Sequence, residues 1–283
     1  MSWRLKVNHH TGLRYTEPVS ASFNEARMTP ADGGGQLLIA HELRTTPSAR
    51  VQSYTDYWGT TVEAFDLHES HTLLDITSSS VVETSVTKPL AAAVTWEDLA
   101  DEAVSDRWCE YLRPSRYVDD ARDDPHRADL LAELAAYPRP ADAILAAVSA
   151  VEGRMSYTPG FTTVFTTASE AWAHGAGVCQ DFTHVTLSLL RPLGIPARYV
   201  SGYLYTGSGE VGERVTGESH AWVEVWDGDW HGLDPTNGRV VGEGHIIVAR
   251  GRDYADVSPL KGIYAGGHSE SLGVTVTLTR LPR

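Results

Sequence analysis

The sequence has little cysteine: two residues in 283, Cys109 and Cys179, neither in a Cys-x-x-Cys pair. That excludes a disulfide framework and leaves two free thiols, which suit a reducing compartment. No apolar run reaches membrane-spanning length. The opening residues, Met1 to Tyr15, hold no apolar stretch with a small-residue cleavage site, so no signal peptide is read there. The expectation is a cytoplasmic protein with no membrane partner. Positive charge is also scarce, with 23 Lys and Arg against 37 Asp and Glu and a net charge of −14. A broad basic surface for nucleic acid is therefore excluded. No set of His, Cys and acidic residues lies at zinc-ligand spacing, and no D-x-[DN]-x-[DN]-G calcium loop occurs. Neither a metal nor a cofactor is expected.

What is present divides into two parts. Residues 1–90 read as a β-rich unit, a sandwich or barrel. Short alternating runs recur at Trp3-Arg4-Leu5-Lys6-Val7, Gln36-Leu37-Leu38-Ile39-Ala40, Thr60 to Phe65 and Ser80 to Val86. Turn signals at Asp32-Gly33-Gly34-Gly35 and Trp58-Gly59 separate them, and Lys88-Pro89 ends the unit. Residues 91–283 read as a second unit, largely helical over 91–155. There Ile144, Val148 and Val151 form an apolar stripe at helical spacing. An amphipathic helix follows Cys179 and buries Phe182, Val185 and Leu189. Arg191-Pro192-Leu193-Gly194 ends it. Ala197 to Leu204 is a strand and Thr206 to Glu218 a loop. His220 to Trp226 alternates strictly as a strand, Asp227-Gly228-Asp229 turns it, and Trp230 to Leu233 returns. The segment from Gly273 to Leu278 is the last strand. A helix followed by antiparallel strands makes this an α+β chain.

Gly177-Val178-Cys179-Gln180-Asp181 puts a cysteine at a helix mouth, where the amides and the helix dipole favour thiolate over thiol. His220 and Asp234 follow on the hairpin. Thiol, imidazole and carboxylate are the parts of nucleophilic acyl chemistry. The thiolate attacks a carbonyl carbon, the imidazole carries the proton, and the carboxylate fixes the ring tautomer. Strand parity supplies a geometric test. With a three-residue loop at Asp227-Gly228-Asp229, Trp226 pairs with Trp230, and His220 and Asp234 fall on one face. With a two-residue loop they fall on opposite faces. The three-residue form is expected.

Four segments now stand in one order: Gly177 to Asp181; Leu193-Gly194-Ile195-Pro196-Ala197-Arg198; Ser219-His220-Ala221-Trp222-Val223-Glu224; and Leu233-Asp234-Pro235-Thr236. In them the chain resembles the transglutaminase-like superfamily of thiol enzymes. Trp3 to Tyr15 with Pro18-Val19 is similar to the β-rich N-terminal region of its bacterial members. The resemblance implies a papain-like or transglutaminase-like core, with thiol, base and orienting acid at Cys179, His220 and Asp234. It implies acyl-enzyme chemistry on a peptide or protein amide. The backbone amide of Cys179 is one natural oxyanion donor. Trp172 and Gln180 are both candidates for a second. Trp222 is a candidate cleft-lining residue, and so are Arg252 and Asp253, in a segment similar to one that follows Asp-Pro-Thr in bacterial relatives.

Plainer readings apply to the neighbouring residues. Cys109 reads as a small core residue. His184, five residues past Cys179 on the helix, and His231 on the return strand read as structural. Three functions compete. The first is a cysteine peptidase or amidase, with water resolving the acyl-enzyme. The second is a transglutaminase passing the acyl group to an amine. The third is a binding module with an idle thiol, against which the intact Cys-His-Asp set argues. The β-rich unit is expected to cap the cleft, hold substrate or join copies of the chain into a homo-oligomer.

Overall fold

The alternation at Trp3 to Val7 continues far beyond that run, into the long strand β1 (Ser2–Val19). The computed structural model describes residues 2–87, 89–217 and 219–283; Lys88 and Glu218, taken above as the ends of the β-rich unit and of a loop, lie outside them. After β1 come β2 (Ala21–Ala26), β3 (Gln36–Thr46), β4 (Val51–Thr55), β5 (Thr61–Leu67) and β6 (His71–Ser85). Short helices α1 (Trp96–Leu99) and α2 (Glu102–Arg107) lead to α3 (Pro125–Ala135) and α4 (Pro140–Arg154), each of the latter two with proline at its start, where a missing N–H costs nothing. The two-residue strands β7 (Ser156–Tyr157) and β8 (Ala176–Gly177) bracket α5 (Ala168–His174). Then come α6 (Cys179–Leu190), β9 (Ala197–Leu204), β10 (Arg214–Gly217), β11 (Ser219–Trp226), β12 (Trp230–Asp234) and β13 (Arg239–Val240). The chain closes with β14 (His245–Gly251), α7 (Tyr254–Val257), β15 (Leu260–Ala265) and β16 (Ser269–Leu281).

Two sheets form the β-rich part. One has the order β10-β16-β1-β6-β3 and the other β15-β2-β5-β4. Tyr15, Val19, Met28, Phe65, Leu74 and Ile76 fill a core of their own among these strands. The expected division at residue 90 does not hold for the tail. β15 pairs with β2, and β16 pairs with β1 from Arg4 opposite Leu281 to Tyr15 opposite Ser269. β10, inside the segment read above as a loop, adds a further edge strand to the same sheet as β16. The pairings of β15 with β2 and of β16 with β1 span most of the chain's length, so no local pattern announces them.

The second part is a sheet of order β13-β12-β11-β9-β14 with α6 packed on it. α4 and α5 cover the other side of α6. Consequently α6 is no surface helix with one apolar stripe: every residue from Gln180 to Leu190 is buried. Leu5, Val7, Val276 and Leu278 of the long strands join this core. The two parts thus share β1, with Leu5 and Val7 in this core and Tyr15 and Val19 in the other.

Asp227, at the start of the β11–β12 turn, ties the junction. Its buried carboxylate accepts the backbone N–H groups of Ala91 (3.1 Å), Ala93 (2.9 Å) and Val94 (3.1 Å). Asp227→Ala strands these donors and is expected to lower the unfolding free energy by about 3 kcal/mol. A urea titration with an unchanged midpoint would show that the junction does not depend on it.

Candidate active site

Cys179 is the first residue of α6. Gly177 precedes it because the Asp181 side chain folds back there: a Cβ on Gly177 would sit 2.4 Å from Asp181 Oδ2. That oxygen accepts the Val178 N–H (2.7 Å) and the Thr162 hydroxyl (2.6 Å). The helix mouth and the 156–167 loop are thereby held together. Burial pushes the Asp181 carboxyl up, against these hydrogen bonds.

His220 stands on β11. The turn has the expected register, with Trp226 opposite Trp230 and Val223 opposite Leu233. Gly228 supplies the left-handed residue at φ 81°. His220 and Asp234 therefore share a face, and His220 Nε2 lies 2.8 Å from Asp234 Oδ2. Cys179 shares the cleft with His220 and acts on the same ring, and with Nε2 turned to Asp234 the nitrogen left for it is Nδ1. Burial alone would lower the pKa of His220. The hydrogen bonds and charges of Asp234 and Cys179 outweigh it and push the ring up to about 9. On the paired strand β9, Gly202 faces His220. A Cβ there would meet Ile246 O at 2.0 Å and the Trp222 ring at 2.6 Å, so only glycine fits beneath the histidine.

Asp234 is fully buried. Burial favours its neutral form, yet its donors hold the carboxyl well below the usual range. Oδ2 also faces His245 Nε2 (3.2 Å) and accepts Asn237 Nδ2 (2.7 Å). Oδ1 accepts the backbone N–H of Thr236 (3.1 Å) and of Asn237 (3.3 Å). His245 was not picked out from the sequence. The Gly242 N–H donates to its Nδ1 at 3.2 Å. Nδ1 is thus the acceptor and the ring proton sits on Nε2, aimed at Asp234. Burial lowers the pKa of His245, consistent with a neutral donor.

Three ligand-type atoms, on His220, Asp234 and His245, also lie within 4.8 Å of one another. The Gly242 contact argues against a metal there, because a protonated Nε2 offers no lone pair. The cluster is described by hydrogen bonds alone.

The oxyanion candidates separate. Gln180 lines the cleft beside Cys179. Its Nε2 donates to Val164 O at 3.1 Å, and the amide keeps a second N–H. Trp172 is buried under the Arg154 guanidinium, 4.5 Å from its ring, and does not line the cleft.

Three expected cleft residues are corrected. Trp222 is completely buried in a small core with Val200, Val241 and Ile247, edge-on to His245. Arg252 pairs with Asp256 (2.9 Å) and lies over Trp58. Asp253 caps α7 through Ala255 N (2.8 Å) and accepts Tyr117 N (3.0 Å). Tyr254, between them and the tail, does line the cleft. His184 is buried against Tyr117 and Tyr199 and accepts the Tyr254 N–H, as a structural residue should. Cys109 is exposed, not a core residue.

Two cavities meet at His220. One of about 390 Å³ holds Cys179, Gln180 and Tyr199 and reaches His9, Thr11 and Val274 of the β-rich part. The other, of about 410 Å³, touches His220, Thr236 and Asn237 but not Cys179. Tyr157 and Ser219 border both. His9 is buried and neutral, with burial pushing its pKa down to about 4. It contacts Tyr203 Oη (2.9 Å) and Thr11 Oγ1 (3.0 Å).

Residues 128–235 match the transglutaminase-like superfamily, and residues 5–83 match the bacterial transglutaminase-like N-terminal region. The chain belongs to the transglutaminase-like superfamily. An uncharacterised protein of Mycobacterium leprae (strain TN) is 45% identical over 99% of both chains. Another, from Mycobacterium tuberculosis (strain H37Rv), is 34% identical over 96% of this chain and 91% of its own. In fold, the chain is similar to the crystal structure of a candidate cysteine protease from Cytophaga hutchinsonii. The TM-score is 0.79 at 22% identity, covering all of this chain and 92% of that one. Within the superfamily match, Arg198 and Glu224 sit opposite each other on β9 and β11 with Nε 2.7 Å from Oε2. Two of the four sequence segments are therefore joined by an ion pair as well as by strand pairing. Among the described residues no helix is long and apolar enough to cross a membrane.

Proposed function

We propose that the chain is a thiol-dependent amide-bond enzyme, a cysteine peptidase or amidase. Cys179 is the nucleophile, His220 the base and acid, and Asp234 the orienting carboxylate. The observation that carries the reading is Cys179 and His220 on one cleft with the ring 2.8 Å from the Asp234 carboxylate and held at about 9. Near neutral pH such a ring stays protonated beside the sulfur and can hand its proton to a leaving amine. Sγ then attacks the carbonyl carbon. As the C–N bond breaks, the proton on Nδ1 passes to the departing amine nitrogen, and water later enters by giving its proton to the ring. The Cys179 amide and the free N–H of Gln180 are the oxyanion donors of this reading.

The second cavity also borders His220, beside Thr236 and Asn237. Its size favours a second reading, acyl transfer to an amine that waits there. Adding a primary amine to a reacting acyl substrate separates the two. Hydrolysis yields only acid, whereas transfer yields the new amide in rising proportion.

The founding test is thiol labelling. Iodoacetamide is expected to alkylate Cys179 faster than the exposed Cys109 near neutral pH; equal rates would remove the activated nucleophile. His245→Phe keeps a ring but loses the donor to Asp234. It is expected to lower kcat about tenfold, or ~1.4 kcal/mol, and unaltered kcat would make His245 a packing residue. Two free thiols suit a reducing cytoplasm, and locating a tagged copy by cell fractionation tests that assignment.

A further inference from the structure

One wall of the acyl-side cavity comes from outside the superfamily match. Cys179, Gln180, Tyr199 and Ala221 form its floor, but Thr11 and Val274 close it from β1 and β16, and Pro259 and Leu260 from the tail that leads to β15. Thr11 and Val274 are paired residues of one sheet, so their side chains stand together. No Asp, Glu, Lys or Arg borders this cavity among the described residues. Its two histidines differ in role. His220 belongs to the reacting centre, and both ring nitrogens of His9 are taken up by Tyr203 and Thr11. In a chain with 60 charged side chains of the Asp, Glu, Lys and Arg types out of 283 residues, a wall this long without one is informative. A charged group entering it would lose water and find no charged partner, which disfavours it. An uncharged apolar group would gain from burial. The cavity volume of about 390 Å³ is ample for a large amino-acid side chain.

The second cavity supplies direction. It shares His220 but not Cys179, so the acyl group, which must stay bonded to Sγ, belongs to the first. We infer that the β-rich part selects the acyl donor: the residue contributing the scissile carbonyl carries an uncharged, apolar or aromatic side chain, seated against Thr11, Val274 and Leu260. This rests on Cys179 being the acylated nucleophile. It adds what that reading leaves open, namely the substrate class and the work of the N-terminal and C-terminal strands. Val274 is the residue to alter. It is 40% exposed in β16, so a polar replacement can be tolerated by the fold, and it lies outside the thiol–imidazole–carboxylate set.

The test uses N-acetyl-aminoacyl chloromethyl ketones, which alkylate Sγ with loss of chloride and need no turnover. The series carries leucine, phenylalanine, arginine or aspartate side chains. Rates at Cys179 are read by mass and divided by the iodoacetamide rate of the same protein. In the unmodified chain, leucyl and phenylalanyl reagents are expected to outrun the arginyl and aspartyl ones by about tenfold or more. In Val274→Glu the leucyl-to-arginyl ratio, each rate divided by that variant's own iodoacetamide rate, is expected to fall by about tenfold. Fast iodoacetamide labelling with no side-chain preference, or with a preference that Val274→Glu leaves untouched, overturns the inference and spares the nucleophile. Iodoacetamide labelling of Cys179 no faster than that of Cys109 overturns the nucleophile itself and the inference with it.

Discussion

Cys179→Ala is expected to abolish covalent acyl adducts and to reduce amide turnover by about 10⁴-fold or more, while Cys109→Ala changes neither. The size follows from the way the groups work together. Without a nucleophile, His220 and Asp234 can only assist a water molecule, and removing one member of such a set costs nearly as much as removing all. The comparison with Cys109 is a fair one because both thiols are free in the same chain and Cys109 is the more exposed. Reactivity at Cys179 therefore has to come from its place at the start of α6 and from the His220 ring. A peptide library incubated with both variants and followed by intact mass reads the result directly. Adducts persisting in Cys179→Ala would move the nucleophile elsewhere and dissolve the site. The pH dependence adds a second readout. The His220 ring is pushed up to about 9, so the proton needed by the leaving amine is present below that pH and is lost as pH rises through it. Acylation should fall on the alkaline side with a limb near that value.

The same residues explain how much the sequence discloses. The grouping of the three candidate residues was legible because they sit on a helix mouth and on one hairpin, and both obey local rules. Glycine and cysteine before an apolar run mark the helix start, and strand parity with a three-residue turn puts His220 and Asp234 on one face. The β-rich start was legible through its alternating runs. Illegible were the partners of those runs. β16 and β15 return across more than 200 residues to β1 and β2, and alternation says which face is apolar, not which strand lies beside it. The acyl-side wall was missed for the same reason, since Thr11 and Val274 meet only through that pairing. Trp222 was misplaced by a different error. Sharing a face with His220 put it beside the ring, but toward the core rather than the solvent, where Gly202 leaves room for its indole. His245 escaped because its role depends on one backbone N–H, that of Gly242.

Asp234→Asn tests the other end of the relay and is expected to lower kcat by a factor on the order of 10⁴. The reason is visible in the contacts of the carboxylate. The His220 ring, the His245 Nε2–H, the Asn237 amide and two backbone N–H groups all face it as donors. An amide replaces one acceptor oxygen by an NH₂ group, so whichever way it turns, donors meet donors. If the NH₂ faces His220, the ring is driven to accept at Nε2 and carry its proton on Nδ1 as a neutral species, with no charge to hold a thiolate. If it faces Thr236 and Asn237, the turn at Pro235 loses its closure. Stability should fall by about 3 kcal/mol, the scale for breaking a buried charge pair. The sign of the pH dependence can be checked. The pKa of His220 is raised in the fold, so its stabilising share is complete below the ordinary value of 6.5 and lost as pH rises through about 9. The pKa of Asp234 is depressed, so its share is complete above its ordinary value of 3.8 and lost as pH falls below that. The melting-temperature gap between the unmodified protein and the Asp234→Asn variant should therefore be widest between about pH 4 and 6.5, and should narrow as the pH approaches the His220 value. The alkaline limb of acylation should move to lower pH in the variant, since burial alone lowers the ring. A gap that is constant with pH, together with an unmoved alkaline limb, would mean that Asp234 holds the turn and does not charge the histidine.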